Sequence, residues 1–300
     1  MGHIIADLKE TFRRGNIFIQ LIFINVAIFI IGTLISIFLQ LFNFSATGIF
    51  DQFALPASLN RFIFQPWSLF TYMFMHAGFL HILFNMLWLY WFGSLFLYFF
   101  SGKHLRGLYI LGGICGGIFY MVAYNIFPYF SQAVSNSTLV GASASVLAIV
   151  AATAYREPNY RVQLFLFGAV RLKYLALIVI GTDLLFITSS NAGGHIAHLG
   201  GALGGLWFAA SLSKGKDLTI WINRLLDGFM SLFQKKTWKR KPKMKVHYGG
   251  QTSRDKDYNY NAHKKAQSDE VDRILEKLKK SGYESLTTEE KKSLFDASKR

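Results

Sequence analysis

Of the polar side chains that interrupt the apolar stretches of the chain, the informative ones are His76, His81, Asn85, Ser143, Asp183, His195 and His198. Ionisable and nucleophilic groups are costly in apolar surroundings, so each is a candidate for function. The competing role for any one of them is a hydrogen bond between neighbouring helices. Ser143 follows Val140-Gly141-Ala142 and, before that, the polar run Ser135-Asn136-Ser137-Thr138. Gly141 and Ala142 leave space around its hydroxyl, and a helix starting there would aim free N–H groups and positive dipole at any anion that forms. These are properties of a nucleophile site. His198 lies in Asn191-Ala192-Gly193-Gly194-His195-Ile196-Ala197-His198-Leu199-Gly200-Gly201. A neutral imidazole there could take the serine proton as general base and return it to a leaving amine. His81 and Asn85 are four residues apart, hence on one helix face, and both can donate a hydrogen bond from it. His76 belongs to the turn leading into that helix.

The elements that must carry these residues are apolar helices. Of 300 residues, 52% are hydrophobic, 16% are charged and 29 are phenylalanine. Residues 15–50, 62–102 and 107–155 contain no Asp, Glu, Lys or Arg, and each run exceeds the ~20 apolar residues needed to cross a bilayer. A soluble enzyme, a disordered chain and a fibrous repeat are excluded. Apolar runs between polar breaks predict six membrane helices over 17–40, 77–100, 105–127, 141–155, 172–188 and 195–213. The fourth and fifth are short and therefore expected inside the bundle. Gly112, Gly113, Gly116 and Gly117, and likewise Gly200, Gly201, Gly204 and Gly205, are spaced for close backbone contact. The third and sixth helices are accordingly expected at its centre. The single cysteine, Cys115, allows no intramolecular disulfide.

Basic residues set the expected orientation. Lys9, Arg13 and Arg14 precede the first span, Lys103 and Arg106 follow the second, and Arg156, Arg161, Arg171 and Lys173 follow the fourth. The positive-inside rule places all of these, and both termini, in the cytoplasm. The first apolar run is too long for a signal-peptide core and is read as a retained span. Of the formal charge of +15, +10 lies in residues 214–300. A basic tail behind a membrane domain suits anionic lipid headgroups, and no nucleic-acid-binding motif accompanies it.

Five segments result: an amphipathic N-terminal segment (1–14), a six-helix domain (15–213), an interfacial helix with a polybasic run (214–247), a linker (248–267) and a helical hairpin (268–300). Leu218, Ile222, Leu225, Phe229 and Leu232 give the interfacial helix an apolar stripe, and seven basic residues follow between Lys235 and Lys245. In the hairpin, Val271, Ile274, Leu275 and Leu278 form one helical face, Gly282 ends it, and Thr287 with Glu290 makes a capping box for the next helix.

A His-x4-His-x3-Asn segment, a Gly-x-Ser segment and an Ala-His-Leu-Gly-Gly segment, each opening its own span in this order, resemble the rhomboid family of intramembrane serine proteases. The resemblance covers about residues 15–213. It implies a six-helix all-α membrane bundle and a Ser143–His198 dyad without an acidic third member. It further implies an oxyanion hole of His81, Asn85 and the Ser143 N–H, His76 supporting the loop above, and a site open to the extracytoplasmic side. Transmembrane proteins would be the substrates, and no cofactor or metal is implied. Ala144 stands where the family often has glycine, and Ser68 follows Trp67 where many bacterial relatives carry arginine. His195, one turn before His198, is the other candidate base.

Other classes fit less well. A metalloprotease needs His-Glu-x-x-His, which the chain lacks. An aspartyl protease needs two membrane aspartates, whereas only Asp183 lies in a span, where it is expected to bond to a neighbouring helix. A transporter predicts inverted repeats and several intramembrane charges. A catalytically inactive rhomboid-like binder of transmembrane helices is the alternative, although such proteins usually lack the serine or histidine retained here. The expected location is a bacterial inner membrane.

Overall fold

The computed structural model describes residues 10–12, 15–45, 47–164, 168–233 and 251–298. The chain divides into two units, residues 1–235 and 236–300. In the first unit, α1 (Ile17–Leu41) is followed by the short helices α2 (Thr47–Asp51), α3 (Leu59–Phe64) and α4 (Ser68–Thr71). The long helices α5 (Phe79–Phe99) and α6 (Gly102–Ile126) come next, then α7 (Ser143–Arg156), α8 (Leu172–Leu185), α9 (Ala192–Ser213) and α10 (Ile220–Phe233). Among the described residues, α1, α5, α6 and α9 are long and apolar enough to cross a membrane, and the chain is a helical membrane protein. The helices over 143–156 and 172–185 occupy the positions expected of the fourth and fifth spans but have only 14 residues each.

Glycine sets how closely the inner helices pack. A Cβ at Gly112 would run into Ala148, one at Gly201 into the Ala144 carbonyl, and one at Gly205 into the Ala148 carbonyl. At Gly200 it would stand 2.8 Å from the Cys115 carbonyl, and at Gly204 3.0 Å from the Cys115 side chain. Thus α6 and α9 clasp α7 and each other with almost no side chain between them. The consequence for α7 is that Ala144 through Ala154 are all buried. The fourth helix, between the two glycine-rich ones, is the most enclosed.

The connection from α1 to α5 holds α2 to α4 and a two-residue strand. Strand β1 (Leu55–Pro56) pairs antiparallel with β2 (Thr138–Leu139), with Leu55 opposite Leu139. The Trp67 indole donates to the Gln52 carbonyl (2.8 Å) and the Thr71 hydroxyl to that of Phe53 (2.8 Å), so this connection is tied internally. Ser68, the departure noted above, is fully buried and its hydroxyl has no partner. On the other side of the bundle, β3 (Arg161–Leu164) and β4 (Gly168–Arg171) form an antiparallel pair leading into α8.

Helix α10 is anchored to the first turn of α6. Asn223 donates to the Lys103 carbonyl (3.0 Å) and accepts from Arg106 Nε (2.9 Å), while Arg106 also pairs with Asp227 (2.7 Å). Of its expected apolar stripe, Ile222 is buried against the bundle, whereas Leu225, Phe229 and Leu232 are largely exposed. The polybasic run and most of segment 1–14 lie outside the described residues.

The second unit corrects one expectation. Residues 251–267, read as a linker, are the first half of a continuous helix, α11 (Gln251–Ser281). That stretch is polar but has no Gly or Pro and contains Gln, Arg, Lys and Ala, all good helix formers. Extending a helix nucleated downstream costs far less than starting one. Gly282, at φ 75°, ends it. The capping box forms as expected before α12 (Thr288–Ser298): the Thr287 N–H donates to Glu290 (2.9 Å) and the Glu290 N–H to the Thr287 hydroxyl (3.3 Å). Ile274 and Leu286 are buried between the elements, and Lys277 pairs with Glu290 at 2.8 Å.

Candidate active site

Ser143 is the first residue of α7, where the leading N–H groups of a helix have no partner inside it. The segment before it turns sharply at Gly141, which has φ +127°, a conformation that L side chains rarely adopt. A Cβ at Gly141 would stand 2.8 Å from His81 Nε2 and 3.7 Å from Ser143 Oγ. The absent side chain is what lets the imidazole edge and the hydroxyl face the same small space.

His81 lies in the first turn of α5. Its Nδ1 accepts from the Ala77 N–H (3.4 Å), which leaves the proton on Nε2, the nitrogen facing Gly141. Asn85, one turn on and buried, donates from Nδ2 to the His81 carbonyl (2.8 Å). The His76 ring stands edge-on to His81 with centroids 5.2 Å apart. Both of its nitrogens are buried without a partner, and burial, then the neighbouring His81, pushes it down to about 4. His76 is therefore neutral near pH 7 and supports His81 by packing.

His198 lies in the second turn of α9. Residues adjoining it and Ser143 meet at Gly116 of α6: the Ala144 methyl and the Ala197 carbonyl stand 2.6 and 2.7 Å from where a Cβ would be. The two helices are thus in contact at the level of these two side chains. All six residues expected at the site, namely Ser143, His198, His81, Asn85, His76 and Gly141, lie on the loops and helix ends at this one end of the bundle.

Three features go beyond the sequence reading. The Gly141 N–H donates to the Tyr72 carbonyl (2.9 Å), the Tyr72 hydroxyl to the Gly113 carbonyl (2.6 Å) and the Tyr109 hydroxyl to the Met73 carbonyl (3.0 Å). Asn25 of α1 donates to the Tyr109 hydroxyl (3.1 Å), which carries the support across three helices. Asn25, an amide in the middle of an apolar run, is a signal visible in the sequence; the tyrosines are not. Second, Asp183 of α8, nearly inaccessible, does bond to a neighbouring helix, but to both histidines of α9. His195 Nδ1 and His198 Nδ1 each lie 2.8 Å from its Oδ1. The resemblance implies no acidic partner for the histidine, and the structure supplies one. Third, the donor atoms of Asp183, His195 and His198 lie within 4.8 Å of one another, near enough to hold a metal ion, though the two 2.8 Å contacts are ordinary hydrogen-bond lengths.

The bundle and this end of it define a helical membrane protein with a serine, histidines and amide donors gathered at the start of an enclosed helix. Residues 64–215 match the Rhomboid domain, and the chain belongs to the rhomboid family. It is 31% identical over 158 residues to the RHOMBOID-like protein 12, mitochondrial, of Arabidopsis thaliana, covering 50% of this chain and 47% of that protein. The chain thus spans about half the length of the curated relative it matches. Residues 254–300 match a family of unknown function (DUF6576).

Proposed function

We propose that this protein is an intramembrane serine endopeptidase that cuts peptide bonds in or near the transmembrane helices of other membrane proteins. The observation that carries the reading is the turn at Gly141, around which Ser143 Oγ and His81 Nε2 face one space at a helix N-terminus. Ser143 Oγ attacks the substrate carbonyl carbon as its proton passes to His198 Nε2. The oxyanion accepts from the Ser143 N–H, His81 Nε2–H and the second Nδ2–H of Asn85, each such donor typically contributing ~100-fold or more in rate. Collapse expels the amine, which takes the proton from His198, and water then hydrolyses the acyl-enzyme by the same route.

In this reading α1 and α5 to α9 make six spans with both termini cytoplasmic. Helix α7, at about 1.5 Å per residue, is shorter than a hydrocarbon core of about 30 Å, so with Arg156 at the cytoplasmic surface Ser143 sits below the opposite one. Water reaches it from the extracytoplasmic end. A substrate helix must partly unwind to present a carbonyl, so Gly, Ala or Ser near the cut is favoured. The uncovered face of α10 lies in the membrane interface, and the basic run behind it meets anionic headgroups.

The test is cleavage of a single-span reporter in liposomes by the intact chain, Ser143→Ala and His198→Ala, with products read by mass. Cleavage by the intact chain alone supports the reading. Reporter binding by all three without cleavage would sink it in favour of an inactive helix binder.

A further inference from the structure

Resting on the protease reading, we infer that Asp183 is a positioning residue for His198, so that the site works as a Ser143–His198–Asp183 relay in which His195 braces the carboxylate. An ionised carboxylate can only accept, so each ring nitrogen 2.8 Å from Asp183 Oδ1 must carry a hydrogen. With Nδ1 protonated, the neutral His198 ring has its lone pair on Nε2, the tautomer that can receive the serine proton. Among the described residues, this oxygen is the hydrogen-bond partner that selects that tautomer.

Charge supports the same assignment. Asp183 is 4% exposed, and among the described residues its ion-pair partners are the two histidines alone, with no Lys or Arg. With both rings neutral the cluster carries one uncompensated negative charge in a low-dielectric setting. When Ser143 Oγ bonds to the substrate carbon, its proton moves to His198 Nε2 and the carbonyl electron pair moves to oxygen; the cluster becomes neutral and Asp183 takes no proton. The second oxygen, Oδ2, is buried without a partner, so the carboxylate is held through Oδ1 alone. Two rings from successive turns of α9 on that one oxygen fix its position, which gives His195 a role distinct from the base.

The experiment uses the full chain in liposomes with the single-span reporter, together with histidine-selective 15N spectra in detergent, His198 being assigned from the spectrum of His198→Gln. The intact protein is expected to show His198 protonated at Nδ1. Asp183→Asn, confirmed folded by its melting temperature, is expected to lose that signature. It should also lower kcat by about 100-fold or more with apparent KM little changed, as an amide in place of a carboxylate favours the wrong tautomer. His195→Leu should lower kcat by less. A His198 ring protonated at Nε2 in the intact protein overturns the inference, as does an Asp183→Asn variant of full kcat beside an inactive Ser143→Ala. An inactive His195→Leu with an active His198→Ala would make His195 the base, and cleavage that falls with chelator would make the cluster a metal site. An intact chain that neither cleaves nor is labelled at Ser143 by a fluorophosphonate removes the protease reading itself, and this role with it.

Discussion

The Tyr72 carbonyl accepts the Gly141 N–H at 2.9 Å, so the segment preceding α5 holds the turn that delivers Ser143. Tyr72 is itself pinned to α6 through Gly113, and the adjoining Met73 through Tyr109. The two loops that carry His81 and Ser143 are therefore one assembly fixed to the central helix.

Gly141→Ala should separate fold from activity. Forcing a side chain to φ +127° costs roughly 1–3 kcal/mol, and its Cβ would meet His81 Nε2 at 2.8 Å. The expected outcome is a protein that folds with a lowered melting temperature yet cleaves a reporter at least ~100-fold more slowly, since misplacement by about 1 Å costs that much. Near-normal cleavage would show that the turn does not set the site.

Gly201→Ala should act through packing. Its methyl group would collide with the Ala144 carbonyl, one residue from Ser143. Relief requires α9 to move off α7 at the level of His198, with a loss of stability of about 1–3 kcal/mol and of most activity. Melting and cleavage measured together check this; an unchanged melting temperature would mean that the helices are less tightly joined than the contact implies.

Much of this arrangement was legible in the residues. The apolar runs locate all six helices to within a few residues, because Lys103, Arg156 and Arg171 and the polar stretch at 135–138 mark their ends. The glycine pairs revealed which helices approach most closely. What escaped was set by contacts distant in sequence. Leu55 opposite Leu139 is too short a pairing to leave a period-two pattern, and nothing local in Tyr72 or Tyr109 says that a backbone carbonyl awaits its hydroxyl. Asp183 was visible as an intramembrane acid, but its two partners depend on how α8 lies against α9. The stretch 251–267 is polar yet helical, because polarity alone does not mean lack of structure and its residues suit a helix.

Asn223→Ala should loosen α10. It removes a donor to the Lys103 carbonyl and strips Arg106 Nε of its acceptor. Unpaired groups of this kind cost about 1–3 kcal/mol. A lower melting temperature and faster proteolysis between residues 214 and 233 are expected, with reporter cleavage within about twofold of the intact chain because the clamp is remote from Ser143. Unchanged proteolysis would show that apolar contacts alone hold the helix.

A pH dependence follows from His76. Its folded value of about 4 is below the ordinary 6.5, so between them the unfolded chain binds more protons. Stability should therefore fall as pH drops through that window, and His76→Gln should flatten the slope. Melting temperatures of both proteins across the window, in one detergent, check the difference; parallel slopes would assign the acid sensitivity elsewhere.

The enclosure of α7 separates two lengths that most membrane helices keep equal. Along α1 only Phe18, Leu21 and Asn25 are buried among the described residues, so that helix must adjust to the bilayer around it, whereas α7 is walled in from Ala144 to Ala154. When lipid chains lengthen or shorten, tilting of the outer helices can absorb the mismatch while the spacing of Ser143 and His198 stays constant. On the protease reading proposed above, bilayer thickness would then change how deep a substrate helix presents its backbone, and hence which of its residues arrives at the serine, without altering the site itself.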